Sequence, residues 1–119
     1  MLNQVMFVGR LVNDPTIKTT ENGKKVSNIT IAVPRSYKNE NGEYDTDFID
    51  CVLWNNIAEN TVEYCKKGDL IGIQGRVETN IYENESGEKR KTTNVVAEKI
   101  KFITNYKEKE EAKLEEMNI

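Results

Sequence analysis

The sequence predicts an all-β protein, a barrel of five strands with a single helix. Three observations support this fold class. Apolar and polar side chains alternate in five stretches, which is the period of a strand with one buried side. Glycine-containing turn signals separate most of these stretches. Only one stretch has the 3.6-residue period of a helix. With 119 residues, the chain has room for one domain and a short extension.

The first two strands are predicted at residues 3–12 and 26–33. An Asp-Pro pair at 14–15 ends the first strand, and an Asn-Gly turn at 22–23 precedes the second. The apolar side of the second strand consists of Ile29, Ile31 and Val33. Pro34 has no N–H to donate to a ladder, so we expect regular pairing to end there.

A polar hairpin arm is predicted before the third strand. Asn41 and Gly42 suit the two positive-φ positions of its tip. The strand itself, DFIDCVLWNN at residues 47–56, has one uniformly apolar side made of Ile49, Cys51 and Leu53. Its other side carries Phe48, Asp50, Val52 and Trp54. Two aromatics beside an aspartate indicate either a second buried layer or a stacking surface for a flat ligand.

The helix is predicted directly after this strand. Asn56 is a suitable N-cap with Glu59 three residues later, and Gly68 is a suitable stop. The buried side of the helix is expected to carry Ala58, Val62 and Cys65. This spacing predicts one short amphipathic helix.

The last two strands are predicted at residues 69–82 and 94–103, with a second polar arm around Gly87 between them. Gly72 and Gly75 suit a bulge or a sharp bend of a barrel. The inward side chains of the fourth strand are expected to be Ile71, Ile73 and Val77. Three strands, one helix and two strands in an antiparallel barrel form the OB-fold arrangement, which binds oligonucleotides or oligosaccharides.

Composition argues against several classes of protein. The chain has no histidine, and its two cysteines, Cys51 and Cys65, form no CxxC pair, so we expect no metal site, no cofactor and no Cys/His nucleophile. Both cysteines are expected to be reduced core thiols. The start, MLNQVMFVGRLV, has neither a basic n-region nor a long apolar run, which predicts a cytoplasmic protein without a membrane span.

The net charge of −3 is unusual for a nucleic-acid binder, which is generally basic. The charge is unevenly distributed, however. Removing the three Lys and five Glu of residues 107–119 from the 17 basic and 20 acidic groups leaves 14 and 15. The distribution of cations over the surface therefore matters more than their total.

Ten short motifs, taken in order, are similar to the bacterial single-stranded DNA-binding protein family. They are VGRL, DP, NG, ITIAV, DFIDCVLW, AEN, KKG, GR, YENESG and VVAE. The resemblance covers residues 1–104 and implies an OB-fold domain there. It also implies a homotetramer assembled through the first strand, binding of single-stranded DNA, association with the nucleoid, and no catalysis. The expected roles are in replication, recombination, repair or competence.

The resemblance assigns base stacking to four aromatic positions, all of which are aromatic here: Tyr37, Phe48, Trp54 and Tyr82. It thereby favours the stacking surface over the buried layer, and stacking reads no base sequence. The remaining aromatics considered, Tyr44, Tyr64 and Phe102, are assigned to packing.

Phosphate contacts are expected from two groups of cations. The family tends to have basic residues at the positions of Arg10, Lys18, Lys66, Lys67 and Arg76. The two arms add Arg35, Lys38, Lys89, Arg90 and Lys91 near the stacking aromatics, although a charged run at 89–91 also fits a solvated loop. Other family positions that are commonly basic are occupied here by Asn56, Glu78, Asn80 and Ile81, and Asp50 stands at a position that is often basic or neutral. We therefore expect weaker binding than that of a typical member.

Residues 105–119 are predicted to be a short charged tail. The chain resembles a short form of the family without the long Gly, Pro and Gln-rich linker and the acidic tip ending in Pro-Phe. Two interpretations of the tail stay open, a solvated charged segment or a minimal docking tip, EEMNI, for replication or repair proteins. The alternative function is that of a primosome-type OB-fold module that binds proteins and has little or no affinity for DNA.

Overall fold

A computed structural model describes residues 1–104 of the chain. The elements follow one another in the order β1 (Val5–Leu11), β2 (Lys18–Thr19), β3 (Lys25–Lys38), β4 (Tyr44–Trp54), α1 (Asn55–Tyr64), β5 (Leu70–Glu83) and β6 (Lys89–Phe102). The five long strands and the helix correspond to the predicted elements. The predicted domain boundary and the expectations for the tail concern residues 105–119, which lie outside the described residues.

The five long strands close into a barrel, which confirms the predicted OB-fold class. Their order is β1-β5-β6-β4-β3, and β1 pairs again with β3 to close the ring. The short strand β2 is added at the outer edge of β3. The expectation of an entirely antiparallel barrel is wrong at one pair, because β4 and β6 run parallel at Cys51–Val95 and Val52–Val96. A closed ring with an odd number of strands cannot alternate in direction throughout, so one pair must be parallel.

The barrel core is formed by the inward side chains of the strands and one side of the helix. Its buried apolar members are Leu11, Ile29, Ile31, Cys51, Leu53, Ala58, Cys65, Ile71, Ile73, Val95 and Ala97. Both cysteines are buried free thiols, as predicted. Burial raises the pKa of each thiol to about 12, because the thiolate is poorly solvated there.

Gly75 lies at an irregularity of the β5–β6 ladder, which confirms the bulge predicted there, whereas Gly72 lies within regular pairing to Val8 and Lys101. The pairing changes from Gln74–Lys99 to Gly75–Ala97 and leaves one β6 residue unpaired. A Cβ atom at Gly75 would lie 2.2 Å from the Val96 carbonyl oxygen, so no other residue fits without a shift of the strands. At this point β5 turns from the barrel wall into an arm.

Val77 was predicted to point inward but is 41% exposed. The β1–β5 ladder ends at Val5–Gly75, and beyond it only the side chain of Asn3 continues the pairing, by hydrogen bonds to the N–H and C=O of Val77. Val77 has the inward parity but lies past the barrel, where no opposing layer within residues 1–104 covers it.

The helix begins two residues earlier than predicted. Its N-cap position is Trp54, with no side-chain cap, so Asn56 lies inside the first turn rather than at the cap. The buried helical side chains are Ala58 and Thr61, whereas Val62 is only half-buried. Thr61 is buried at little cost because its hydroxyl donates to the Ile57 carbonyl at 2.8 Å. The helix ends before Gly68, which lies with φ of +91° in the following turn.

Two hairpin arms extend the barrel strands beyond their predicted limits. Pairing of β3 and β4 continues through Pro34–Thr46, and the register shifts only between Pro34 and Lys38. Pro34 therefore does not end the strand, although regular pairing does end there. The tip has the predicted glycine at positive φ, Gly42 at +77°, but Asn41 does not share that conformation. The second arm turns in the same way at Gly87, with φ of +79°.

Candidate nucleic-acid interface

The outward side of β4 displays the two aromatics that the sequence singled out. Phe48 is 65% exposed and Trp54 is 38% exposed, while Cys51 and Leu53 on the other side of the strand are buried. Asp50 lies between the aromatics in the alternation and accepts a hydrogen bond from the Thr30 hydroxyl at 2.9 Å. The expectation of an outward aromatic side is confirmed, and no second buried layer covers it within the described residues.

The strand register extends this side of β4 over β6 and β5. Val52 lies beside Val96, and Val96 is paired with Arg76, so these three side chains point outward together. The same alternation continues along β5 to Tyr82, which is 50% exposed. We call this surface, which carries Phe48, Trp54, Arg76 and Tyr82, the outer face. Three of the four predicted stacking aromatics thus lie on one continuous surface.

Tyr37 lies on the first arm, in the segment where the β3 register shifts. It is 62% exposed. Its hydroxyl accepts a long hydrogen bond, 3.4 Å, from Arg35. The first arm extends away from the barrel, so Tyr37 lies near Arg35 and not beside the outward aromatics of β4.

Two of the three aromatics assigned to packing are indeed packed. Tyr64 and Phe102 contact the core, with ring centroids 6.0 Å apart. Tyr44 is different: it is 57% exposed, so its assignment to packing is wrong. Tyr44 lies on the arm, beyond the layer that buries the barrel strands. The exposure of Tyr44 could have been predicted from the sequence, because Tyr44 has the same parity along the strand as the outward residues Phe48 and Trp54.

Three of the arginines predicted to contact phosphates are held in ion pairs. Arg35 donates to both carboxylate oxygens of Asp47, at 2.9 and 3.2 Å. This hydrogen bonding lowers the pKa of Asp47 and raises that of Arg35. On the second arm, Arg90 pairs with Glu88, which lies two residues before it, at 2.7 Å.

The third paired arginine is on the outer face itself. Arg76 pairs with Glu78 at 2.7 Å, and Glu78 is two residues further along the same side of β5. Residues two apart on a strand share a side. The spacing of Arg76 and Glu78, like that of Glu88 and Arg90, is a signal in the sequence from which both ion pairs could have been predicted. Part of the positive charge near the aromatics is thus neutralised within the protein.

The remaining predicted cations divide between the two ends of the barrel. Lys18 is paired with Val26, which lies opposite Trp54, so Lys18 is two strands from that aromatic. Lys38, Lys89 and Lys91 lie on the arms, as predicted. Arg10 is paired with Ala32, which lies opposite Phe48, so Arg10 is two strands from that aromatic, and its guanidinium donates to the Gly68 carbonyl at 2.9 Å.

Lys66 and Lys67 belong to the same end as Arg10. Both lie in the loop between α1 and β5, where the Lys67 N–H donates to Asp14 at 2.7 Å. The β5 strand separates this end from Tyr82 by about 40 Å at 3.3 Å per residue. The structure therefore does not bring Arg10, Lys66 and Lys67 together with the second arm.

Within residues 1–104, no group of three or more His, Cys, Asp or Glu side chains could hold a metal ion. No helix in that part of the chain is long and apolar enough to cross a membrane.

Comparison with known proteins agrees with this geometry. The model of the single-strand binding protein family matches residues 2–103. Single-stranded DNA-binding protein B of Bacillus subtilis is 48% identical over 103 residues, which are 87% of this chain and 91% of that protein. The single-stranded DNA-binding protein of Halalkalibacterium halodurans is 47% identical over 103 residues, and single-stranded DNA-binding protein A of B. subtilis is 46% identical over the same length. The match spans 61% and 60% of those two proteins. The chain belongs to the single-strand binding protein family.

Proposed function

We propose that this protein binds single-stranded DNA without base-sequence preference, by stacking bases on exposed aromatics and pairing phosphates with nearby cations. The observation that carries this proposal is the outer face, on which Phe48, Trp54 and Tyr82 are exposed, while Cys51 and Leu53 on the other side of β4 are buried in the core. Every base has a π-face, so stacking tolerates any sequence. The names of the matched relatives support the same ligand.

The proposed stacking set is Tyr37, Phe48, Trp54 and Tyr82. Phosphates would be contacted by Lys18, Lys38 and the second-arm cations Lys89, Arg90 and Lys91, together with Arg10, Arg35, Lys66, Lys67 and Arg76 where the strand of DNA reaches them. The ion pairs of Arg35, Arg76 and Arg90 reduce the number of phosphates neutralised per bound strand. We therefore infer a shallow dependence of affinity on salt.

The proposed activity is binding and protection of single strands, with no chemical step. The chain has no histidine. Acid–base catalysis needs titratable groups whose pKa values are set apart in a cleft, and the exposed outer face offers no such enclosure. This activity would serve the processes that generate single strands at the nucleoid in the bacterial cytoplasm, namely replication, recombination, repair or competence. Recruitment of replication or repair proteins through residues 105–119 is a further part of the proposal.

The single tryptophan of the chain makes the proposal directly testable. Oligo-dT should quench Trp54 fluorescence at low salt, whereas duplex DNA, whose bases are already stacked, should quench it far less. No quenching by any single strand would refute the proposal and favour the protein-binding alternative.

Substitution of Trp54 tests the energetic part of the proposal. Trp54→Ala should weaken binding of labelled oligo-dT, measured by fluorescence anisotropy, by about 1–3 kcal/mol. Trp54→Phe is the matched control, because it retains a ring and should retain most of the affinity. Equal losses for both variants would show that stacking at this position is not the interaction lost.

We also propose assembly into a homotetramer through β1. From Val5 to Gly9 this strand pairs only with β5, and its ladder with β3 is restricted to Arg10 and Leu11. Met6 is 70% exposed and Val8 49% exposed, beside a groove of about 380 Å³ that Gly72 and Ile103 also line. An open strand edge next to an apolar groove is a surface that pairs with another chain.

Light scattering at micromolar concentration tests the assembly. The proposal requires a tetramer, and Val8→Glu should dissociate it by placing a charge in the apolar groove. A monomeric wild-type protein would refute the assembly without affecting the proposed DNA binding.

A further inference from the structure

Tyr44 is an exposed aromatic that belongs neither to the core nor to the predicted stacking set. It is the first residue of β4, and by alternation it points to the same side of the strand as Phe48 and Trp54. Its exposed fraction, 57%, lies between those of Phe48 and Trp54. An exposed ring in this row is available to a flat ligand in the same way as the other two.

A cation accompanies the Tyr44 ring. Lys38 is paired with Tyr44 across the β3–β4 ladder, and its ammonium lies 5.8 Å from the ring centroid. A lysine at this distance is attracted to the π-electrons of the ring. The arrangement combines the two groups that a nucleotide requires, a surface for the base and a positive charge for its phosphate.

Hydrogen bonds brace the arm on both sides of Tyr44. At the tip, the Asn39 side-chain oxygen accepts from the N–H groups of Asn41 and Glu43, at 2.8 and 3.0 Å. The Asn39 amide nitrogen donates to the Asp45 carboxylate at 3.1 Å. A braced arm presents its ring with little further loss of conformational freedom on binding.

The base of the arm is closed by a second set of contacts. Arg35 and Asp47 form their bidentate pair across β3 and β4. Lys38 and Tyr44 form the last ladder pair before the tip. The segment that holds Tyr44 is therefore fixed at both ends rather than only at the barrel.

We propose that Tyr44 is a further base-stacking residue, which extends the path of single-stranded DNA from Trp54 and Phe48 onto the first arm, with Lys38 contacting a phosphate there. This inference rests on the proposed DNA binding. Along β4, Phe48 is about 20 Å from Trp54 and Tyr44 about 13 Å further, at 3.3 Å per residue. A short strand bound at Trp54 and Phe48 would not reach Tyr44, whereas a longer strand would.

The test is a length series of oligo-dT bound to the full chain and followed by fluorescence anisotropy. Tyr44→Ala should bind the shortest strands that quench Trp54 as tightly as the wild type does. Beyond a threshold length, its affinity should fall at least about fivefold below that of the wild type. Tyr44→Phe is the matched control, since it keeps the ring and should follow the wild type at every length. Phe48→Ala should weaken binding at all lengths.

Two results would overturn the inference. If Tyr44→Ala follows the wild type at every length, no base stacks on this ring. If it loses affinity equally at every length, Tyr44 acts through the shape of the arm rather than as the end of the path. Either result leaves wild-type quenching of Trp54 intact, whereas failure of the proposed function abolishes that quenching.

Discussion

Removing the negative charge of Glu78 is expected to strengthen DNA binding. Glu78 lies on the outer face and holds the Arg76 guanidinium at 2.7 Å, so the charge of Arg76 is neutralised before DNA arrives. Glu78→Gln leaves Arg76 available for a phosphate, and Glu78→Arg adds a second cation beside it. The pair contributes little to folding, because both side chains are more than two-fifths exposed.

The size of the effect follows from counterion release. Each additional phosphate neutralised on a single strand steepens the slope of log affinity against log salt by about 0.7. Glu78→Gln should therefore steepen the slope by up to about 0.7, and Glu78→Arg by up to about 1.4. Over a fourfold decrease in salt, a change of 0.7 gives the Gln variant an extra gain in affinity of about 2.6-fold.

The assay is Trp54 fluorescence titrated with oligo-dT at a series of NaCl concentrations. The maximum quenching should stay the same in all variants, because the aromatic side chains are unchanged. Glu78→Asp is the matched control: it keeps the negative charge and should keep the wild-type slope. If Glu78→Arg changes neither the affinity nor the slope, the DNA does not pass beside β5 from Arg76 to Tyr82, and the assignment of this strand to the interface is wrong.

The remaining predictions concern folding and thiol chemistry. Gly75→Ala should lower the free energy of unfolding by about 1–3 kcal/mol, because its methyl group would meet a β6 carbonyl at 2.2 Å. Gly72→Ala, whose methyl would meet neighbours at 3.6 Å or more, should change it little; equal thermal melting of the two variants would contradict the close approach. Ser27→Ala should raise the free energy of unfolding, measured by urea denaturation, by about 1 kcal/mol, since the buried Ser27 hydroxyl has no hydrogen-bond partner among the described residues. A clear loss of stability would show that this hydroxyl is bonded. Cys51 and Cys65, with pKa values raised to about 12, should resist a thiol-reactive disulfide at pH 8 until the protein is unfolded, and rapid labelling of the native protein would refute their burial.

Local patterns were sufficient to predict most of the architecture. Alternation in residues 47–56 identified the core side chains of β4 and the outward aromatics Phe48 and Trp54, and the structure confirms both. The glycines at 42, 75 and 87 marked two arm tips and one bulge correctly. These predictions succeeded because side-chain alternation and backbone conformation depend on neighbours in sequence.

Two of the errors have a common physical origin. The alternation of Val77 and Tyr44 along their strands was read correctly, but each residue lies on an arm past the barrel, where no opposing layer of the described residues buries a side chain. The cap at Asn56 failed because the chain passes directly from β4 into the helix at Trp54, leaving no turn for a capping side chain.

The order of the elements, the inward and outward sides of the central strands, and the aromatic character of the candidate stacking residues all follow from the sequence alone. The grouping of those residues follows from the tertiary structure. Register across β4, β6 and β5 brought Arg76 and Tyr82 onto the same surface as Trp54, and register across β1, β3 and β4 placed Arg10 two strands from Phe48. Ring closure imposed one parallel pair. The grouping of the residues and the parallel pair both depend on contacts between residues far apart in the chain. Periodicity within a single strand contains no information about such contacts.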